Sequence, residues 1–274
     1  MAGQIAPTAV RSAGARTARS EPFEWLARAG FVARGLIYLI VGVLALELAL
    51  GVGGTTTNQQ GALRTIARQS FGTVLLGIVA VALFGYALWR LVHAALGGGP
   101  ESSDNGLERV GALGSGIVYG AIGVLAIEIL AGSSSSSGGA PKATAGVLAW
   151  PGGVVLVVIA GLVMFAVGVY QGHRGVTHDF LKDSRTEQMS PKVRRAVKWL
   201  GTVGHLARMV VFGMIGVFLI VSAVDYNPGK AVGLDGALAK LAQSSPGPLL
   251  LGIVAAGLIA FAVYSFSDAR YRRL

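Results

Sequence analysis

Six long apolar runs leave this chain little choice of solvent or of secondary structure. They lie at residues 29–50, 72–95, 111–131, 152–172, 203–224 and 247–267. Each is close to the roughly 20 apolar residues that an α-helix needs to cross the hydrocarbon core of a bilayer. A backbone in lipid must satisfy its own hydrogen bonds, which leaves helices and closed barrels. The runs are continuous rather than alternating, so they do not fit barrel strands. Composition agrees: 53% of residues are hydrophobic and only 13% charged, against about a quarter charged in soluble domains. The expected fold class is therefore all-α, a polytopic membrane bundle of six transmembrane helices.

The basic residues give the expected orientation. With the N-terminus inside, eighteen of the 23 Lys and Arg fall on the inner side, and only Arg64, Arg68, Lys142, Lys230 and Lys240 fall outside. Positive-inside bias then places both termini in the cytoplasm. The net charge of +10 sits in loops between apolar runs, where anionic lipid headgroups on the cytoplasmic side are the expected partner, not nucleic acid. No cysteine is present, which excludes disulfides, thiolate catalysis and thiolate metal sites. Residues 1–22, rich in Ala, Ser and Arg, read as a disordered basic tail.

Within this frame the chain repeats itself. Residues 26–51 read LARAGFVARGLIYLIVGVLALELALG, residues 107–132 read LERVGALGSGIVYGAIGVLAIEILAG, and residues 200–225 read LGTVGHLARMVVFGMIGVFLIVSAVD. Gapless alignment matches Gly30, Gly111 and Gly204, then Gly42, Gly123 and Gly216. The even-numbered runs match as well, Leu76-Gly77-Ile78 with Leu251-Gly252-Ile253. Each unit holds two spans, so all copies enter the membrane from the same side and are parallel repeats. The divisions are 23–100, 101–186 and 187–274. A pseudo-threefold bundle is the expected closure, with an open row of hairpins as the alternative.

The motif G-x-x-A-R-G-x-x-Y-x-x-x-G, with its paired helix, resembles a bacterial membrane family called domain of unknown function 1206. The likeness runs from about residue 24 to the end. It implies a bacterial plasma-membrane protein and carries no activity with it. The Ala-Arg pair stands at Ala33-Arg34 and Ala207-Arg208, but the second copy has Gly114-Ser115.

Spacing by four puts Arg34, Tyr38 and Gly42 on one stripe, repeated by Ser115, Tyr119 and Gly123 and by Arg208, Phe212 and Gly216. Such stripes could line a vestibule for an anion, or the arginines could snorkel to headgroups. Glu47 and Glu128 share a repeat position near the outer end. They read as interfacial carboxylates or as a cation-binding ring. Trp25, Trp199, Trp89, Tyr170 and Tyr264 read as an aromatic belt, and residues 61–69 and 237–242 as amphipathic segments flat on the outer leaflet. Ser190-Pro191 starts a helix whose bases, Lys192, Arg194, Arg195 and Lys198, suggest an interfacial helix on anionic lipid or a protein-partner surface. His173, His178 and Asp179 fit no metal motif. There is no nucleophile elbow, zinc-protease or P-loop signature, and the sequence implies no catalytic residue, cofactor or metal. The expected function is a non-enzymatic, membrane-organising or partner-binding protein. The alternative is a small transporter or channel for an ion or organic anion along the pseudo-threefold axis.

Overall fold

The computed structural model describes residues 21–96, 106–132 and 139–273. Most of the expected basic tail, the connection after residue 96 and the serine run at 133–137 lie outside the described residues. Six long helices carry the apolar runs: α1 (Glu21–Ala49), α3 (Gly72–Leu96), α4 (Gly106–Leu130), α6 (Gly153–Thr177), α7 (Pro191–Val224) and α9 (Gly247–Tyr271). All six are long and apolar enough to cross a membrane. Three short helices, α2 (Gln59–Ala67), α5 (Gly139–Leu148) and α8 (Leu234–Gln243), join the members of each repeat. They sit at the distal end, opposite the described chain ends. The protein is a multi-pass, all-helical membrane protein.

The helices are arranged as a ring with one side missing. Between repeats, α3 packs on α4, α6 on α7 and α9 on α1; within repeats, α1 packs on α3 and α7 on α9. The remaining pair, α4 and α6 of the second repeat, has no comparable packing among the described residues. The expected threefold closure thus holds at five of six interfaces.

The three inter-repeat interfaces share one plan. Near the chain ends, Arg28 donates to the carbonyls of Ala269 and Arg270 at 2.8 and 2.9 Å. Arg109 donates to Ala94 and Ala95 at 3.1 and 2.7 Å, and Thr202 to Gly175 at 3.1 Å. Each donor is repeat-equivalent, and each satisfies carbonyls that the last turn of the preceding helix leaves open. Two of the three are cations placed on the negative end of a helix dipole. Further along, the equivalent glycines let the helices touch. A Cβ on Gly42 would meet Ile259, one on Gly123 would meet Phe84, and one on Gly216 would meet Phe165. Those three partners are themselves repeat-equivalent. Small residues allow this close backbone approach, which drives helix association where lipid is as apolar as leucine.

Inside the ring, apolar side chains pack into one core. Val41, Ile122 and Ile215 occupy one repeat position and all are buried in a single apolar cluster. Ala45 and Ala126 follow one turn on, with Leu219 packed against them. Among the described residues these tiers leave a packed core between the arginine stripe and the distal end.

Several local expectations change. α2 and α8 do not rest on lipid: Leu63 and Leu238 are fully buried in the main core, so their apolar faces cap the bundle. The segment carrying Lys192 to Lys198 is not a separate interfacial helix. It runs into the fifth span as one helix of 34 residues, about 51 Å at 1.5 Å per residue, well beyond a hydrocarbon core of about 30 Å. Nothing between Val197 and Val203 breaks a helix, because an isolated Gly201 costs only about 1 kcal/mol. Trp25, Trp199 and Tyr170 are exposed as a belt requires, but Trp89 and Tyr264 are buried. These two pack on Phe31 and Phe180.

The open side shows in its residues. Gly30 lies against Tyr86, and Gly204 against Phe261, closing the first and third repeats. The equivalent Gly111 has nothing within 4 Å, and its expected partner, Val167, is exposed. Leucine at Gly204 should therefore lower the melting temperature, since overpacking costs about 1–3 kcal/mol. Leucine at Gly111 should leave it unchanged. Equal melting of Gly204→Leu and Gly111→Leu in detergent would contradict the broken ring.

Candidate functional site

Six residues beyond the capping donors lies a tier of guanidinium groups, one at each inter-repeat interface. At the α9/α1 interface Arg34 donates from Nε to Ser265 Oγ at 3.1 Å and from Nη1 to Tyr86 Oη at 3.2 Å. Its Nη2 donates to Asp268 Oδ2 at 2.8 Å. At the α6/α7 interface Arg208 faces Gln171. With the amide turned so that its oxygen faces the guanidinium, that oxygen accepts from Nη1 at 2.6 Å and Nη2 at 2.9 Å. At the α3/α4 interface Arg90 donates from Nη2 to Ser115 Oγ at 3.0 Å. Arg90, Gln171 and Ser265 are repeat-equivalent, as are Arg34, Ser115 and Arg208.

The departure of the second repeat therefore has a cause. Ser115 does not remove an arginine from the tier; the guanidinium has crossed to the facing helix. Each interface keeps one guanidinium and one neutral polar partner. A neutral polar partner offsets part of the cost of holding a charge among apolar helices.

Aromatic rings complete the surroundings. The Arg34 guanidinium stands 4.8 Å from the Phe31 ring and 5.2 Å from Phe261. Arg208 stands 4.4 Å from Phe261 and 5.5 Å from Tyr38. Tyr119 packs edge-on against Tyr86 at 4.8 Å. Such cation–π contacts contribute about 0.5–2 kcal/mol each.

The charges do not balance. Arg34 and Arg272 share Asp268, and Arg272 and Arg174 share Asp183, at distances of 2.6 to 3.4 Å. Among the described residues no carboxylate pairs with Arg90 or Arg208. The Nε of Arg90 is buried without any hydrogen-bond partner. The exposure also differs: Arg34 is 7% exposed, whereas Arg208 and Ser115 are half-buried.

The ladder from Arg34 through Asp268, Arg272, Asp183 and Arg174 reaches the connection between α6 and α7. Short 3-10 turns at Asp179–Leu181 and Thr186–Gln188 bring that connection back over α9. Arg185 N donates to Tyr271 O at 2.6 Å and Arg273 N to Asp183 O at 2.9 Å, and Phe180 is fully buried as its anchor.

The sequence-stated candidates thus separate into groups. Arg34, Ser115, Arg208, Tyr38 and Tyr119 meet in one region. Glu47 and Glu128 do not join them. They lie half-buried thirteen residues further along their helices, about 20 Å at 1.5 Å per residue. Lys192, Arg194, Arg195 and Lys198 are exposed on the projecting end of α7. Arg194, Arg195 and Lys198 border an open cleft of about 610 Å³ beneath the α6–α7 connection. His173 approaches Asp179 at 3.8 Å, and no group of three metal-type ligands occurs among the described residues. Arg90, Gln171, Ser265, Asp268, Asp183 and Arg272 were missed. Aligning the even-numbered spans at the tier position would have shown the first three.

The fold and site define a class: a parallel three-repeat membrane bundle with its polar groups at the repeat interfaces. The chain belongs to the Domain of Unknown Function (DUF1206) family, which matches it three times, at residues 29–102, 110–178 and 203–272. It is 33% identical over 249 residues to the uncharacterized protein YxxB of Bacillus subtilis (strain 168), covering 90% of each chain. No solved structure matches it.

Two outcomes test this geometry. Burial opposes the charge of Asp183, but Arg272 and Arg174 outweigh it and hold its pKa below the usual aspartate range. A lowered folded pKa adds stability above the unfolded value of about 3.9, lost as pH falls through the folded one. The α6–α7 connection should therefore open to limited proteolysis on acidification below about pH 4, and Asp183→Asn should open it at neutral pH. Second, Arg90→Ser should lower the melting temperature. Adding Ser115→Arg should restore much of the loss by returning the guanidinium to its position in the other repeats. No recovery in the double variant would refute the equivalence of the three interfaces.

Proposed function

We propose that this is a non-enzymatic membrane protein whose guanidinium tier binds an anionic group. One observation carries the reading: Arg90 and Arg208 hold full charges at helix interfaces with only neutral polar partners. A charge within a span costs about 2.5–3.5 kcal/mol or more. Neutral partners and aromatic faces offset part of that cost, and an anion would offset the rest. Its hydrogen bonds to a guanidinium would be the stronger, charge-assisted kind.

The packed core beyond the tier bears on the rival reading. Val41, Ile122 and Ile215, then Ala45 and Ala126, are all buried in one apolar cluster between the tier and the distal end. This supports binding over conduction. The orientation inferred from the basic residues would put the tier in the cytoplasmic half of a bacterial plasma membrane, within reach of lipid phosphates as well as soluble anions. The exposed bases on the projecting end of α7 support a second role in docking a cytoplasmic partner or anionic lipid.

The test is thermal stabilisation of the detergent-purified protein by a panel of soluble anions and anionic lipids, each beside a neutral or zwitterionic counterpart. A ligand at 100 times its dissociation constant adds about 2.7 kcal/mol to the folded state, which is several degrees. At least one anion should stabilise the native protein and lose that effect with Arg90→Gln/Arg208→Gln. Stabilisation by no anion, or equal stabilisation of the variant, would sink the proposal.

A further inference from the structure

The missing interface of the ring is a cleft between α4 and α6, at membrane depth. Its two walls correspond to faces that are buried in the other repeats. On α4, Gly111, Gly114 and Val118 are exposed, where the first repeat buries Gly30, Ala33 and Ile37. On α6, Val163 and Val167 are exposed, where the first repeat buries Ala82 and Tyr86. A Cβ on Gly111 or Gly114 would meet nothing within 4 Å. The cleft is therefore open along about two turns of α4 and one of α6 and lined by small, apolar side chains.

Each of the two helices also carries the neutral partner of one unbalanced guanidinium. Ser115 on α4 bonds Arg90, and Gln171 on α6 faces Arg208. Arg208, half-buried, is less enclosed than the equivalent Arg34 in the closed part of the ring. Charge without a carboxylate thus stands beside an apolar cleft that faces the bilayer. Inner-leaflet phospholipid has the complementary form: a hydrocarbon chain beside a phosphate.

Resting on the anion-binding reading above, we propose that the α4/α6 cleft is a binding site for an anionic phospholipid. Its acyl chain lies between Gly111, Gly114 and Val118 on one wall and Val163 and Val167 on the other. Its phosphate is held at the Arg208 side of the tier. The lipid takes the place of the helix contact that the second repeat lacks. The substitution of Val167 for the aromatic ring found at Tyr86 and Phe261 leaves room for it.

The experiment compares melting of the full-length, delipidated protein with phosphatidylglycerol, phosphatidylcholine or soluble glycerol 3-phosphate. Three forms are used: native, Arg208→Gln, and the cleft-filling Gly114→Leu/Val163→Trp, whose added atoms enter open space. Phosphatidylglycerol should stabilise the native form, with the lipid concentration needed rising about tenfold in each variant. Phosphatidylcholine and glycerol 3-phosphate should have little effect. If the cleft-filled variant still responds to phosphatidylglycerol while Arg208→Gln does not, the anion reading stands and the cleft site falls. If glycerol 3-phosphate stabilises native and cleft-filled protein alike, the anion does not come from the bilayer. Equal stabilisation by phosphatidylcholine would overturn the role of charge. Efficient crosslinking of two copies through Gly114→Cys, in a chain otherwise free of cysteine, would show that a second copy fills the cleft.

Discussion

The contact of each odd-numbered span with the even-numbered span of the preceding repeat is the interaction on which the rest of this protein depends. It is built the same way three times. A donor near the chain ends satisfies the last carbonyls of the neighbouring helix, a guanidinium is shared across the middle, and a glycine allows backbone contact beyond it. In lipid, burying apolar surface gives helices little reason to associate, so packing and interhelical hydrogen bonds must do it. The contacts within repeats are less elaborate. Gly30 on Tyr86 and Gly204 on Phe261 close two of them, and the third is absent. The repeat in the sequence is a helical hairpin, but the strongest unit in space is formed between hairpins.

That difference explains what could be read from the sequence. Six spans, their parallel repetition and the shared glycines were legible, because hydrophobic length and repeat register are local properties. The stripe of Arg34, Tyr38 and Gly42 was also legible from four-residue spacing. Its polar partners were not, since Asp268 lies 234 residues from Arg34 and no local rule links them. Ser115 looked like a lost arginine when its helix was considered alone. Its neighbour across the interface shows that the charge had moved to Arg90. The aromatic residues divide for the same reason. Trp25 and Trp89 have the same chemistry near a span end, but the first faces outwards and the second packs on Phe31.

The two amphipathic distal helices show a second limit. A period of 3.6 residues reveals an apolar face without saying what covers it. For α2 and α8 the cover is the bundle: Leu63 and Leu238 close the core at the end where the short helices cross it. For the bases preceding the fifth span, the pattern suggested a helix lying on lipid. Continuity of α7 decides otherwise, because an unbroken helix carries its first turns along the direction of the span. The residues that hold the α6–α7 connection, Phe180, Asp183 and Arg272, belong to segments that periodicity does not describe.

A ring broken at one place is also a row, and here the break falls between two helices that follow one another in the chain. The described N-terminal half supplies α4, α3 and α1, the C-terminal half supplies α9, α7 and α6, and the halves meet along the helix seam between α1 and α9 and at the core inside it. Mechanically the molecule is a book of two three-helix leaves, its spine opposite its open edge. The enclosed pair of Arg34 and Asp268 lies on that spine, while the less enclosed guanidiniums of Arg90 and Arg208 lie one on each leaf. Any rotation about the spine would change the width of the α4/α6 edge most and the Arg34 contacts least. The firmest polar contacts in the protein thus stand where the two leaves would move least against each other.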